Sequence, residues 1–116
     1  MTRSRATARA AGTRWETEIV RALVDAGWPN AERRRLAGSE DKGDVAGVVG
    51  VCIEAKNTNR LDLAGAMKEA RREGFNAGAV VSVAWLKRRG KQSAEDGYVV
   101  LDGATFMLLL AEAGYR

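Results

Sequence analysis

The segment GDVAGVVGVCIEAKN, residues 43–57, constrains the fold of this chain more than any other stretch. Its β-branched residues are punctuated by Gly47 and Gly50, so it reads as two strands, DVAGVV and GVCIEAKN, joined by a tight glycine-containing turn. Side chains on a strand alternate between faces. Glu54 and Lys56 therefore share one face, while Val51, Ile53 and Ala55 share the other. A charged pair on an otherwise apolar strand calls for either solvent or chemistry.

The flanking segments supply the rest of a mixed α/β fold. Trp15, Ile19, Ala22, Leu23 and Ala26 recur at helical spacing, which predicts a first helix from about Thr13 to Ala26, stopped by Gly27 with Pro29 beyond. Thr13 and Glu16 fit a capping box, which gives Glu16 a structural reading. The polar segment NAERRRLAGSEDKG has room for a short strand entering the sheet. LDLAGAMKEARREG predicts a second helix, with Leu63, Ala66, Met67 and Ala70 on its buried face and Gly74 as its stop. AGAVVSVAWL reads as a central strand, KRRGKQSAEDG as a polar loop, GYVVLD as a last strand and TFMLLLAEAG as a last helix. That last helix is apolar on most sides, so it is either deeply buried or a contact between copies. The expected fold is a single α/β domain over residues 12–116, a mixed β-sheet flanked by helices, preceded by a disordered basic arm over 1–11.

Composition narrows the chemistry. The chain has 116 residues, enough for one core, and contains no histidine and one cysteine. Serine–histidine and cysteine–histidine nucleophiles are thereby excluded, as are histidine- or thiolate-based zinc sites. Cys52 reads as a small core residue, and a lone cysteine fits a reducing, cytoplasmic setting. No apolar run approaches the ~18 residues of a membrane span. The net charge of +4 is clustered: Arg3, Arg5, Arg9 and Arg14; Arg33, Arg34 and Arg35; Lys68, Arg71 and Arg72; Lys87, Arg88, Arg89 and Lys91. Clusters of this kind suit phosphate contacts, which makes DNA the expected partner and Arg14 and Arg33–Arg35 candidate DNA-binding residues. The richness in Ala, Gly and Arg fits a GC-rich bacterial or phage source.

Any enzyme built from this chain must work with carboxylates, lysine and a hard metal. Asp44 opens one strand of the proposed hairpin and Glu54 lies late in the next, so their carboxylates fall near the same end; Glu16 stands at the first helix. Converging carboxylates repel one another unless a cation lies between them. Oxygen-only ligands select Mg²⁺, with Mn²⁺ as the other candidate. Lys56, on the face of Glu54, is placed to orient a metal-activated water or to offset charge on a phosphoryl transition state.

The pattern D-x9-E-x-K at Asp44, Glu54 and Lys56 resembles the PD-(D/E)XK nuclease motif. Within that superfamily it is most similar to the archaeal-type Holliday junction resolvases. Three segments carry the resemblance: Gly12-Thr13-Arg14-Trp15-Glu16-Thr17-Glu18-Ile19, Arg35-Leu36-Ala37-Gly38-Ser39 and Cys52-Ile53-Glu54-Ala55-Lys56. The resemblance covers residues 12–57 and implies a restriction-endonuclease-like fold. It implies Glu16, Asp44 and Glu54 as metal ligands, joined by the Ala55 carbonyl, Lys56 as catalytic lysine and Ser39 as an active-site serine. It also implies that Arg35 contacts a backbone phosphate. Gly43 stands where many members of the superfamily have proline, and Glu40 and Asp41 are rival ligands in the loop before Asp44. The expected activity is Mg²⁺-dependent, structure-selective cleavage of DNA, with a four-way junction as substrate and a homodimer supplying two active sites. The alternatives are another PD-(D/E)XK endonuclease, for repair, restriction or a mobile element, and a DNA-binding module without activity.

Overall fold

The computed structural model describes residues 4–34 and 42–116. The first helix, α1 (Arg5–Asp25), starts where the Ser4 side chain accepts a hydrogen bond from the Thr7 amide at 3.1 Å. It therefore begins eight residues before the expected start, and residues 5–11 are two turns of helix where a disordered arm was expected. Ala6, Ala8, Ala10 and Ala11 explain the extension, since alanine is the best helix former. Thr13 and Glu16 lie inside the helix, so no capping box forms there.

Two very short strands follow, β1 (Glu32–Arg33) and β2 (Val45–Ala46), then β3 (Val51–Lys56). Helix α2 (Leu63–Ala77) leads to β4 (Val81–Leu86), and β5 (Tyr98–Val100) precedes α3 (Gly103–Glu112). The strands form one five-stranded mixed sheet in the order β1-β2-β3-β4-β5. β1 and β3 both run antiparallel to β2, β5 runs antiparallel to β4, and β3 and β4 are parallel, joined by the α2 crossover. The expected hairpin is present, with Val45 opposite Ile53. Gly47 in its turn has φ +95°, and a Cβ there would fall on the Asn30 carbonyl. Together the sheet and three helices make a single α/β domain. No helix among the described residues is long and apolar enough to cross a membrane.

Alternation along the strands sorts the two faces. Val45, Ile53, Val81 and Val83 pack with Trp15, Ile19 and Leu23 of α1, the stripe read from the sequence. Burying side chains of this size contributes about 1.5–3 kcal/mol each. The Trp15 indole donates to the Trp85 carbonyl at 3.0 Å, and the Trp85 indole donates to the Ala94 carbonyl at 3.0 Å, which fastens the 87–97 loop to the sheet. The other face belongs to α2, where Ala66 packs with Ala84 and Leu86. Glu54 and Lys56 point to this α2 side and not to open solvent.

Helix α2 continues past Gly74 to a left-handed cap at Gly78, φ +67°. Gly74 is a point of close approach: a Cβ there would run into the Ser82 hydroxyl, and Cys52 lies 3.5 Å away. Leu63, expected inside, is exposed. Helix α3 has no buried residue, and Phe106, Met107, Leu108 and Leu109 all face outward, so of the two readings of that helix deep burial is excluded.

Candidate active site

The hairpin and α2 gather the acids and the lysine around the middle of β3. Asp44 lies just before β2, where its Oδ2 accepts a hydrogen bond from the Ala55 amide at 2.8 Å. That bond fixes the carboxylate against β3. Gly43 makes the approach possible with φ +97°; a Cβ at this position would stand 2.8 Å from the Cys52 sulfur. Glu54 is 6% exposed, and its carboxyl contacts those of Asp44 and Glu73. No donor among the described residues reaches Glu54 Oε2. Lys56 Nζ donates to Glu69 Oε2 at 2.7 Å and stands 3.6 Å from Glu54 Oε1.

The charges perturb one another strongly. Burial pushes the Asp44 carboxyl up to about 8, and the neighbouring charge of Glu54 adds to the rise. Glu54 is also pushed up to about 8, first by burial and then by Glu73. Burial opposes the charge on Lys56, but Glu69, Glu54 and Asp44 outweigh it and raise the amine above its ordinary value. Glu16, on α1, is close enough for its charge to contribute to the rise at Asp44. Three of the residues read from the sequence, Asp44, Glu54 and Lys56, are thus brought together; Glu16 acts on Asp44 through its charge, but Glu16, Asp44 and Glu54 do not bring their carboxylate oxygens within 4.8 Å of one another. Crowded oxygen donors, one of them buried without a donor, fit a hard divalent cation, which would replace the protons that otherwise neutralise the pair.

The remaining candidates are scattered. Ser39 and Arg35, with the rival ligands Glu40 and Asp41, lie outside the described residues. Arg33 is an ion-pair partner of Glu16, with Nε to Oε1 at 3.2 Å. The Arg34 side chain lines a recess with the β2–β3 turn and the end of α2, where none of the cluster acids appears. Arg14 lines a different recess with Asn57 and Lys87, just beyond the carboxyl ends of β3 and β4. An adjoining recess of about 320 Å³ is bounded by Asn57–Asn59 and Lys87–Gly90. The basic run that follows β4 therefore sits beside the same end of the parallel pair as Lys56, the end where ligands bind in open α/β sheets.

Glu69 and Glu73 were missed by the sequence reading because both lie in the charged run KEARRE. A signal was present: Glu73 is in step with the buried Ala66 and Ala70, at spacings of seven and three. An acid in register with an apolar stripe faces the sheet, and Glu73 is 1% exposed.

The chain matches no known protein family, no curated protein and no solved structure.

Proposed function

We propose that this chain is a divalent-metal-dependent DNA endonuclease of the PD-(D/E)XK kind, with a restriction-endonuclease-like fold, acting on branched DNA as Holliday junction resolvases do. The observation that carries the reading is the joint placement of Asp44, at the entry to β2, and Glu54, on the neighbouring antiparallel β3, with Lys56 two residues further on the same face. A mixed sheet with helices on both faces is also what the resemblance of residues 12–57 implies.

Glu16, Asp44 and Glu54 would hold the ion, Mg²⁺ or Mn²⁺. When bound, such an ion acidifies a water and withdraws charge from a phosphate oxygen. The chain's own groups do the rest. Asp44 is held by the Ala55 amide, so its carboxylate is fixed before substrate arrives. Lys56 supplies positive charge to the phosphate as water adds to phosphorus and the bond to the leaving strand breaks. A recess lined by Lys56, Thr58, Arg60, Asp62 and Glu69 is where a strand would approach the amine. Lys87, Arg88 and Arg14 supply phosphate contacts nearby.

The exposed apolar side of α3 supports the homodimer that two symmetric cuts require. The test is incubation of the protein with a labelled four-way junction and with a matched linear duplex, each in Mg²⁺ and in EDTA. Paired, Mg²⁺-dependent nicking of the junction alone is the expected result. Cleavage of both substrates keeps the metal site and removes the junction selectivity. Tight binding without cleavage in Mg²⁺ or Mn²⁺ refutes the nuclease reading and leaves a DNA-binding module.

A further inference from the structure

We propose that Glu54, Glu69 and Glu73 form a second divalent-cation site, on the α2 side of Glu54, for a hard ion such as Mn²⁺ or Mg²⁺. Each of the three carboxylates offers an oxygen, and these oxygens all lie within 4.8 Å of one another. Glu69 and Glu73 are four residues apart on α2, so they present their carboxylates side by side toward β3. None of these acids is a ligand in the metal set of the preceding reading except Glu54, which the two sites would share.

Proximity of acids alone does not make a site; the burial of Glu54 and Glu73 does. Glu54 is 6% exposed and Glu73 1%, so water cannot neutralise them. Glu54 directs into the cluster a carboxylate whose Oε2 meets no donor among the described residues. Lys56 engages Glu69 at 2.7 Å and lies 3.6 Å from Glu54 Oε1, which leaves a deficit of positive charge. Buried carboxylates in place of apolar side chains do not stabilise a fold, so packing gives no reason for Glu54 and Glu73. The neighbouring Ala66, Ala70 and Gly74 are small and bring α2 close to the sheet. Oxygen-only donors exclude soft ions and suit Mg²⁺ or Mn²⁺. The competing occupant is a proton held between Glu54 and Glu73, and an ion would displace it. An ion drawing on Glu69 would also loosen the 2.7 Å contact to Lys56 and free that amine to face a phosphate.

Binding of Mn²⁺ alone to the full chain, without DNA, is the test, followed by the paramagnetic resonance signal of free Mn²⁺ at slightly alkaline pH. The wild-type chain should bind in two classes. Glu69→Gln, which alters a side chain 42% exposed and so does not endanger folding, should weaken one class by about tenfold or more and spare the other. Glu73→Gln should do the same, with circular dichroism confirming the fold. Glu16→Gln should weaken the other class only. Mn²⁺ binding unchanged by Glu69→Gln overturns the proposal, because a proton then occupies the cluster. The nuclease reading is judged separately: Mg²⁺-dependent cleavage with a silent Glu69→Gln keeps the nuclease and removes the second site. Two Mn²⁺ classes without cleavage do the reverse.

Discussion

Replacing Glu54 with Gln should stabilise the metal-free protein increasingly as pH rises from about 4.5 to about 8. The native carboxyl is pushed up to about 8 by burial and by Glu73, whereas the unfolded chain holds it at its ordinary 4.5. Between those values the native state binds more protons than the unfolded state, so stability falls as pH rises through the window and levels off above it. A displacement of this size sets an upper bound of roughly 4–5 kcal/mol on the cost of the charge, at about 1.4 kcal/mol per pKa unit. Asp44 and Glu73 share that cost and Lys56 offsets part of it. Removing the one charge should therefore recover on the order of 1–3 kcal/mol. Gln keeps the shape of the side chain and brings a donor that can face Asp44 or Glu73. The assay is urea unfolding in EDTA. At about pH 5 the wild-type carboxyl is already protonated and the two proteins should agree within about 0.5 kcal/mol. At about pH 9 the variant should be the more stable, with an unchanged denaturant slope. A variant that is less stable at the higher pH, or a difference independent of pH, would refute the electrostatic account of the cluster.

Lys56→Ala should leave DNA binding intact and reduce Mg²⁺-dependent cleavage by roughly a hundredfold or more, measured under single turnover; undiminished cleavage removes Lys56 from the mechanism. Joint replacement of Arg14 and Lys87 with Ala should weaken DNA binding and make its salt dependence shallower by about one to two ions released; an unaltered slope in a salt titration places the phosphates elsewhere. Gly47→Ala should cost about 2–4 kcal/mol in urea unfolding, from the left-handed backbone and the collision with the Asn30 carbonyl. A loss below about 0.5 kcal/mol would mean that the turn relaxes at little cost.

The parts of the fold that announced themselves are those with a clear period. The Trp15–Ile19–Leu23 stripe and the alternation of residues 51–56 and 81–86 each matched one element and one face. The first two turns of α1 had no such stripe. Of residues 5–11 only Ala11 is buried, so their helicity rests on propensity and on the Ser4 cap. Gly74 was read as a stop because glycine commonly ends helices, whereas here it lets a helix touch a strand. Helix α3 is apolar on nearly every side, and a pattern without polarity contrast cannot say which side is covered. In the site, Asp44, Glu54 and Lys56 were legible because strand geometry ties them together. Glu69 and Glu73 were not, because charge is normally a sign of solvent and only contact with β3 turns these two inward.

Gly43 sets the corner that delivers Asp44 to β3. Its φ of +97° lies on the opposite side of conformational space from the value of about −65° that a proline ring imposes. A proline at this position could not adopt the backbone that here delivers Asp44. Any Cβ at the position meets the Cys52 sulfur at 2.8 Å, so either Cys52 or the corner must shift to admit one. The acids, the lysine and the surface can change one residue at a time, but a change at position 43 has to rebuild the corner that delivers Asp44.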